Sequence, residues 1–204
     1  MRRFWMACPA GLALIAVSIA FLDRPVARFA HDHPSFPNLL IGFTRIPEVI
    51  GALAVLGVVG IGLWRASRGF SGTSVQTIFL ATLAVIVAES IKTALKLVCG
   101  RAWPETWVNN NPSFIRDGVY GFFPLHGGPG FASFPSGHTT VVAAAMVVLW
   151  LRLPRWRPLY ALLIAATAMG LVGMDFHFLS DIFAGFCLGT ATAWVTVRIA
   201  EETP

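Results

Sequence analysis

Charge is what this 204-residue chain has least of: Asp, Glu, Lys and Arg together make up 12% of it, about half the share usual in a soluble domain. That scarcity, with 56% hydrophobic residues and a mean hydropathy of +0.70, argues against a soluble globular protein. Cysteine is scarce as well. Cys8, Cys99 and Cys187 lie in or beside apolar segments without metal-ligand spacing, which reads as small buried hydrophobes and not as a disulfide framework or a metal site. Repeats, low-complexity tracts and charged linkers are missing too, and a second domain does not fit.

What is present is a series of apolar blocks, approximately 4–22, 47–64, 76–97, 139–151, 159–174 and 178–197. About 20 apolar residues cross a bilayer. The block at 139–151 is the shortest and is expected to extend backward into the loop before it. Backbone exposed to lipid must be satisfied within the protein, so the predicted fold is all-α: a six-transmembrane helical bundle forming a single domain over 1–204. The start, Met1-Arg2-Arg3 followed by an apolar run, also matches a signal peptide. Removal of that run would leave the later loops on the same sides.

The formal charge of +5 invites a nucleic-acid reading, but the placement of the basic residues opposes it. If the spans alternate, Arg2, Arg3, Arg65, Arg68, Arg152, Arg155, Arg157 and Arg198 share one side, which the positive-inside rule makes cytoplasmic. Arg24, Arg28, Arg45, Arg101 and Arg116, with Lys92 and Lys96, fall on the other. The connections at 65–73 and 152–158 are short, whereas those at 23–45 and 98–136 are long outer loops. The loop between helices 3 and 4 holds Trp103, Trp107, Phe114, Tyr120, Phe122, Phe123, Phe131 and Phe134. Such a composition packs, and Trp and Tyr favour the membrane interface, so a structured cap is expected.

Polar residues at span ends carry the chemistry, because they are costly in a membrane bundle. Three clusters converge on the outer side: Lys96 to Pro104, where the third span exits; Phe134-Pro135-Ser136-Gly137-His138-Thr139, where the fourth begins; and His177-Phe-Leu-Ser-Asp181, where the sixth begins. A Pro-Ser-Gly-His run opening a helix offers free backbone N–H groups and the positive helix end to a phosphate. Gly137 permits close backbone approach and Ser136 adds a hydroxyl. Lys96 and Arg101 supply fixed positive charge for phosphoryl transfer. His177 and Asp181, four apart, share a helix face. The carboxylate then holds Nδ1–H and frees Nε2 to attack phosphorus, while His138 protonates the leaving oxygen.

Pro135-Ser136-Gly137-His138, followed by His177-x-x-x-Asp181 and preceded by Lys96 and Pro104, resembles the type 2 phosphatidic acid phosphatase (PAP2) superfamily. The resemblance covers roughly 92–189. It implies six helices and an outward-facing, metal-independent site without cofactor. His177 is then the nucleophile forming a phosphohistidine, Asp181 its orienting partner, His138 the general acid, and Ser136 and Gly137 phosphate ligands. The chain departs from the pattern twice: Trp103 stands where the first element has Arg, and Leu171 where the third does. Arg101 is expected to reach the site in place of the first. For the second, Lys92, Arg116 or another loop residue must compensate.

Blander readings apply elsewhere. Glu89 and Lys92, three apart, read as a structural pair, and Lys96 taken alone as a snorkelling side chain. His31-Asp32-His33 and His126 read as loop residues, and Asn109, Asn110 and Asn111 as turns. The expected function is hydrolysis of a phosphate or pyrophosphate monoester of a lipid in the membrane. The expected location is a bacterial inner membrane with the site facing outward. A lipid phosphotransferase, or a catalytically weak lipid-binding or transport protein on the same scaffold, are the alternatives.

Overall fold

The computed structural model describes residues 2–68, 72–107 and 109–202; for 2–8 and 65–68 it describes the backbone alone. The side chains of Arg2, Arg3, Cys8, Arg65 and Arg68 therefore lie outside the described residues. The chain forms α1 (Arg2–Val17), a π-turn (Ser18–Leu22), α2 (Asp23–Asp32), α3 (Pro37–Thr44), α4 (Ile46–Arg68), α5 (Thr73–Cys99), the single turn α6 (Phe114–Asp117), α7 (Gly137–Arg152), α8 (Arg157–Gly173) and α9 (Leu179–Glu202). Among the described residues, five helical stretches are long and apolar enough to cross a membrane: Pro9–Asp32, Pro37–Trp64, Thr73–Cys99, Pro154–Gly173 and Leu179–Glu202.

The 23–45 segment was expected to be an outer loop and is largely helical. Its charged residues lie on α2, which continues α1 through the π-turn, and Pro37 sits in the first turn of α3, where its missing N–H costs nothing. Only residues 33–36 separate the two helices.

The backward extension expected for the fourth block amounts to two residues, Gly137 and His138. Helix α7 starts at Gly137 because Ser136 is extended, at φ −62° and ψ 118°, and its N–H is bonded to the Asp181 carbonyl at 3.0 Å. With 16 residues α7 spans about 24 Å, yet it is the central element, packed chiefly against α9 and α5. Val142, Ala143, Ala144 and Val148 are fully enclosed. A helix surrounded by protein does not need a lipid-facing apolar length.

Small residues set that packing. A Cβ on Gly185 would stand 2.5 Å from the Ser136 carbonyl, and one on Gly189 2.5 Å from that of Thr140. Bare glycine thus lets α9 press directly on the α7 backbone. Arg152 reaches Gln76 at 3.0 Å and Glu201 at 3.9 Å, tying the ends of α7, α5 and α9 together far from the site. At the opposite end Gly100 terminates α5 in the left-handed region at φ 56°, as glycine readily does. The described residues between Gly100 and Ser136 fold over that end, with aromatic contacts between Phe122 and Phe134 and between Phe123 and Phe131.

Candidate active site

The three polar clusters do meet. Ser136 caps α7, its Oγ accepting from the Thr139 N–H at 3.4 Å, and this aims the first turn of α7, with Gly137 and His138, into a cavity of about 480 Å³. Lys92 and Lys96 of α5 line the same cavity, with Glu48 and Gly51 of α4. They are the only lysines in the chain. Lys92 pairs with Glu89 at 2.8 Å, and its Nζ passes 3.2 Å from where a Gly137 Cβ would be. The ammonium thus sits against the start of α7. Lys96 donates to the Ala132 carbonyl.

His177 begins the turn into α9 and is only 3% exposed. Its Nδ1 lies 3.5 Å from Asp181 Oδ2 and 3.4 Å from Ser133 Oγ. Its ring stands 6.3 Å from that of His138, between centroids. Burial holds the imidazole below the ordinary histidine range, and the bond to Asp181 opposes the shift. Asp181 is itself fixed: Oδ2 accepts from Ser133 Oγ at 2.6 Å and from the Phe178 N–H at 3.0 Å. Trp103, at the expected arginine position, tilts over His177 with centroids 5.1 Å apart and donates to the Pro129 carbonyl. Leu171 is fully buried, and its carbonyl accepts the His177 N–H at 3.2 Å.

Two expected phosphate ligands are engaged elsewhere. The Ser136 side chain is buried and accepts from the Thr139 hydroxyl at 3.1 Å. Arg101 was expected to supply charge to the phosphate; its side chain is 0% exposed and, like that of His177, lies behind the residues that line the cavity. One guanidinium nitrogen donates to Asp181 Oδ1 and to Ser180 Oγ, at 2.6 Å for the latter; the other donates to Asp23 Oδ2 at 2.7 Å and to Tyr120 at 3.2 Å. The rings of Phe122 and Phe178 cover it, 4.7 and 4.5 Å from the guanidinium carbon. Burial alone would weaken the charge, but Asp181 and Asp23 outweigh it and hold Arg101 above the ordinary arginine value. The physical reason for this placement is charge matching: a guanidinium enclosed beside two carboxylates is already neutralised.

Arg116 pairs with Asp117 and Asn110 on the surface, away from the cavity. His31 reaches Asp175 at 3.3 Å and Glu105 at 3.5 Å, and His126 packs on Phe131. Ser133, Asp23 and Glu48 were not singled out from the sequence. Ser133 lies in the loop just ahead of the Pro-Ser-Gly-His run, and a hydroxyl there was a legible signal.

The family model described as PAP2 superfamily matches residues 77–203. The chain belongs to the PAP2 superfamily. This PAP2 membrane phosphatase is 28% identical over 199 residues to a protein named lipid A 1-phosphatase from Rhizobium etli, covering 91% of this chain and 80% of that one. A lipid A 1-phosphatase from Rhizobium johnstonii is 27% identical, covering 96% and 80%. An undecaprenyl-diphosphatase from Sulfolobus acidocaldarius is 24% identical, covering 81% and 77%. The solved transmembrane PAP2-type phosphatidylglycerolphosphate phosphatase from Bacillus subtilis shares the fold, with a TM-score of 0.68 at 19% identity over 100% of this chain and 98% of that one.

Proposed function

We propose that this PAP2 phosphatase removes the phosphate of a membrane lipid through a phosphohistidine on His177, in a six-span bundle whose site faces outward from a bacterial inner membrane. The observation that carries the mechanism is the pair of imidazoles 6.3 Å apart across the start of α7, one of them backed by a buried carboxylate. Nε2 of His177 attacks phosphorus, the bond from phosphorus to the lipid oxygen breaks, and His138 gives its proton to that oxygen. Water then attacks the phosphohistidine, His138 takes the proton, and inorganic phosphate leaves. Asp181 holds the attacking ring and stabilises its positive charge.

The phosphate oxygens are bound by the first N–H groups of α7, at Gly137 and His138, and by Lys92 and Lys96. Lys92 thereby takes over the charge that Arg101 directs elsewhere. The cavity continues from this cationic end along Val55, Val85, Ile86 and Val141, an apolar wall suited to a lipid tail. The names of the Rhizobium relatives make the 1-phosphate of lipid A the leading substrate, ahead of an isoprenoid pyrophosphate, phosphatidate and phosphatidylglycerophosphate.

Phosphate release from that lipid panel by purified protein in chelator tests the reading. The expected result is turnover that persists in chelator, is abolished in His177→Ala, and passes through an acid-labile phosphoprotein. Full release by His177→Ala, or strict dependence on an added divalent ion, overturns it.

A further inference from the structure

The first helix reaches the site at one point. The π-turn Ser18–Leu22 ends at Asp23 and leaves the Ile19 carbonyl to accept the Tyr120 hydroxyl at 2.6 Å. Single π-turns within α-helices are frequent at functional positions. Asp23, fully buried, lies beyond it. Its Oδ1 accepts the Ser180 N–H at 2.8 Å, and its Oδ2 accepts from Ser180 Oγ at 2.6 Å and from Arg101 at 2.7 Å. Arg101 in turn holds Asp181, whose other oxygen faces His177.

Counting charge gives this chain of contacts a meaning. If Arg101 met Asp181 alone, the two would cancel and the imidazole would have a neutral pair behind it. Asp23 takes the second guanidinium nitrogen, so two carboxylates share one cation and one negative charge remains. All three side chains are closed to solvent, where such a charge is weakly screened. From the structure we infer that Asp23 is a positioning residue for the nucleophile: it occupies Arg101 and thereby leaves Asp181 free to stabilise positive charge on His177. This rests on the phosphohistidine reading above. Asp23 lies outside the family-matched segment 77–203, so nothing in that match assigns it a role.

The groups facing His177 are Asp181 on α9, Lys96 on α5, His138 on α7, and Arg101 and Ser133 in the cap. Tyr120 lies behind, against Asp23 and Arg101. Removing the Asp23 charge leaves Arg101 and Asp181 to cancel each other, a neutral pair behind the ring. His177 then becomes less basic and less able to carry the phosphoryl group. Asp23→Asn, which keeps the shape, should move the acid limb of kcat/KM down by about one pH unit and lower kcat by about tenfold or more, with KM little changed. Removing both charges, in Asp23→Asn with Arg101→Gln, leaves Asp181 as the single charge, and the acid limb should return to its wild-type position.

The pH profile of lipid phosphate release is the test, read on protein that remains folded by thermal denaturation in detergent. A folded Asp23→Asn protein with an unmoved acid limb shows a merely structural role and overturns the inference. If that variant does not fold, the paired variant is read beside Arg101→Gln: a wild-type acid limb in the pair with a raised one in Arg101→Gln supports the inference, and a displaced limb in the pair overturns it. Should the pair not fold either, Arg101→Gln alone is read. It leaves two carboxylates unopposed, so its acid limb, read below the lowered denaturation midpoint that loss of Arg101 entails, should rise, and an unmoved limb overturns the inference. Wild-type protein that releases no phosphate, or releases it equally after His177→Ala, refutes the earlier reading instead, so the two failures are distinguishable.

Discussion

Replacing Gly185 with alanine offers a sharp test of how the site is held. The added methyl would stand 2.5 Å from the Ser136 carbonyl, 3.1 Å from Thr139 Cβ and 3.2 Å from the Thr140 nitrogen. A carbon–oxygen contact needs about 3.3 Å, so the helices must part by roughly 0.8 Å, and none of the obstacles is a flexible side-chain end. Helix α9 carries Asp181 one turn before Gly185, while Ser136 precedes His138, so parting the helices widens the gap between the histidines. It also stretches the 3.0 Å bond from the Ser136 N–H to the Asp181 carbonyl. Overpacking of this kind costs about 1–3 kcal/mol of stability, and a displacement of about 1 Å at a reacting centre costs about a hundredfold in rate. Gly185→Ala should therefore lower kcat/KM about 30- to 100-fold. Gly189→Ala, one turn deeper with the same 2.5 Å obstruction at Thr140, is the control: similar loss of stability by thermal denaturation, but activity within about fivefold of wild type. Equal losses of activity in the two variants, or a fully active Gly185→Ala protein, refute the reasoning.

Arg101→Met should register first as instability, because it strands two buried carboxylates; breaking such a cluster costs about 3–5 kcal/mol, measurable as a lowered midpoint of denaturation. A phosphate-binding role alone would leave that midpoint in place. Lys92→Gln should reduce kcat/KM by about ten- to a hundredfold, with part recovered in Lys92→Arg, in steady-state phosphate release; a wild-type rate in the Gln variant removes Lys92 from the anion pocket. Burial raises the Asp175 carboxyl to about 6, with His31 opposing the shift. Its folded value lies above the unfolded one of about 3.9, so the associated stabilisation is complete below that value and is lost as pH rises through 6. Wild-type stability should therefore fall relative to Asp175→Asn between pH of about 4 and 7, and a constant difference between the two denaturation midpoints contradicts this.

Much of the helical pattern was legible because a bilayer imposes length and apolarity on any helix that crosses it. Where a helix escapes lipid, that guide fails: α7 is short because protein surrounds it, and α2 looked like loop because its charged residues serve the end of the bundle. The approach of His138 to His177 could be read from their positions at the starts of two spans. The fate of Arg101 could not, since sequence gives a residue's charge but not the charges packed around it. Asp23 is 78 positions away along the chain, brought close by a π-turn that no spacing rule signals.

That turn has a consequence for assembly. Asp23 lies in the apolar stretch Pro9–Asp32, and an unmatched aspartate in a membrane helix costs up to about 2.5–3.5 kcal/mol, the value at the helix centre. Its partner is synthesised 78 residues later, after two further apolar stretches have emerged. A first helix inserted before then would carry a charge that is met only when the aromatic cap brings its arginine.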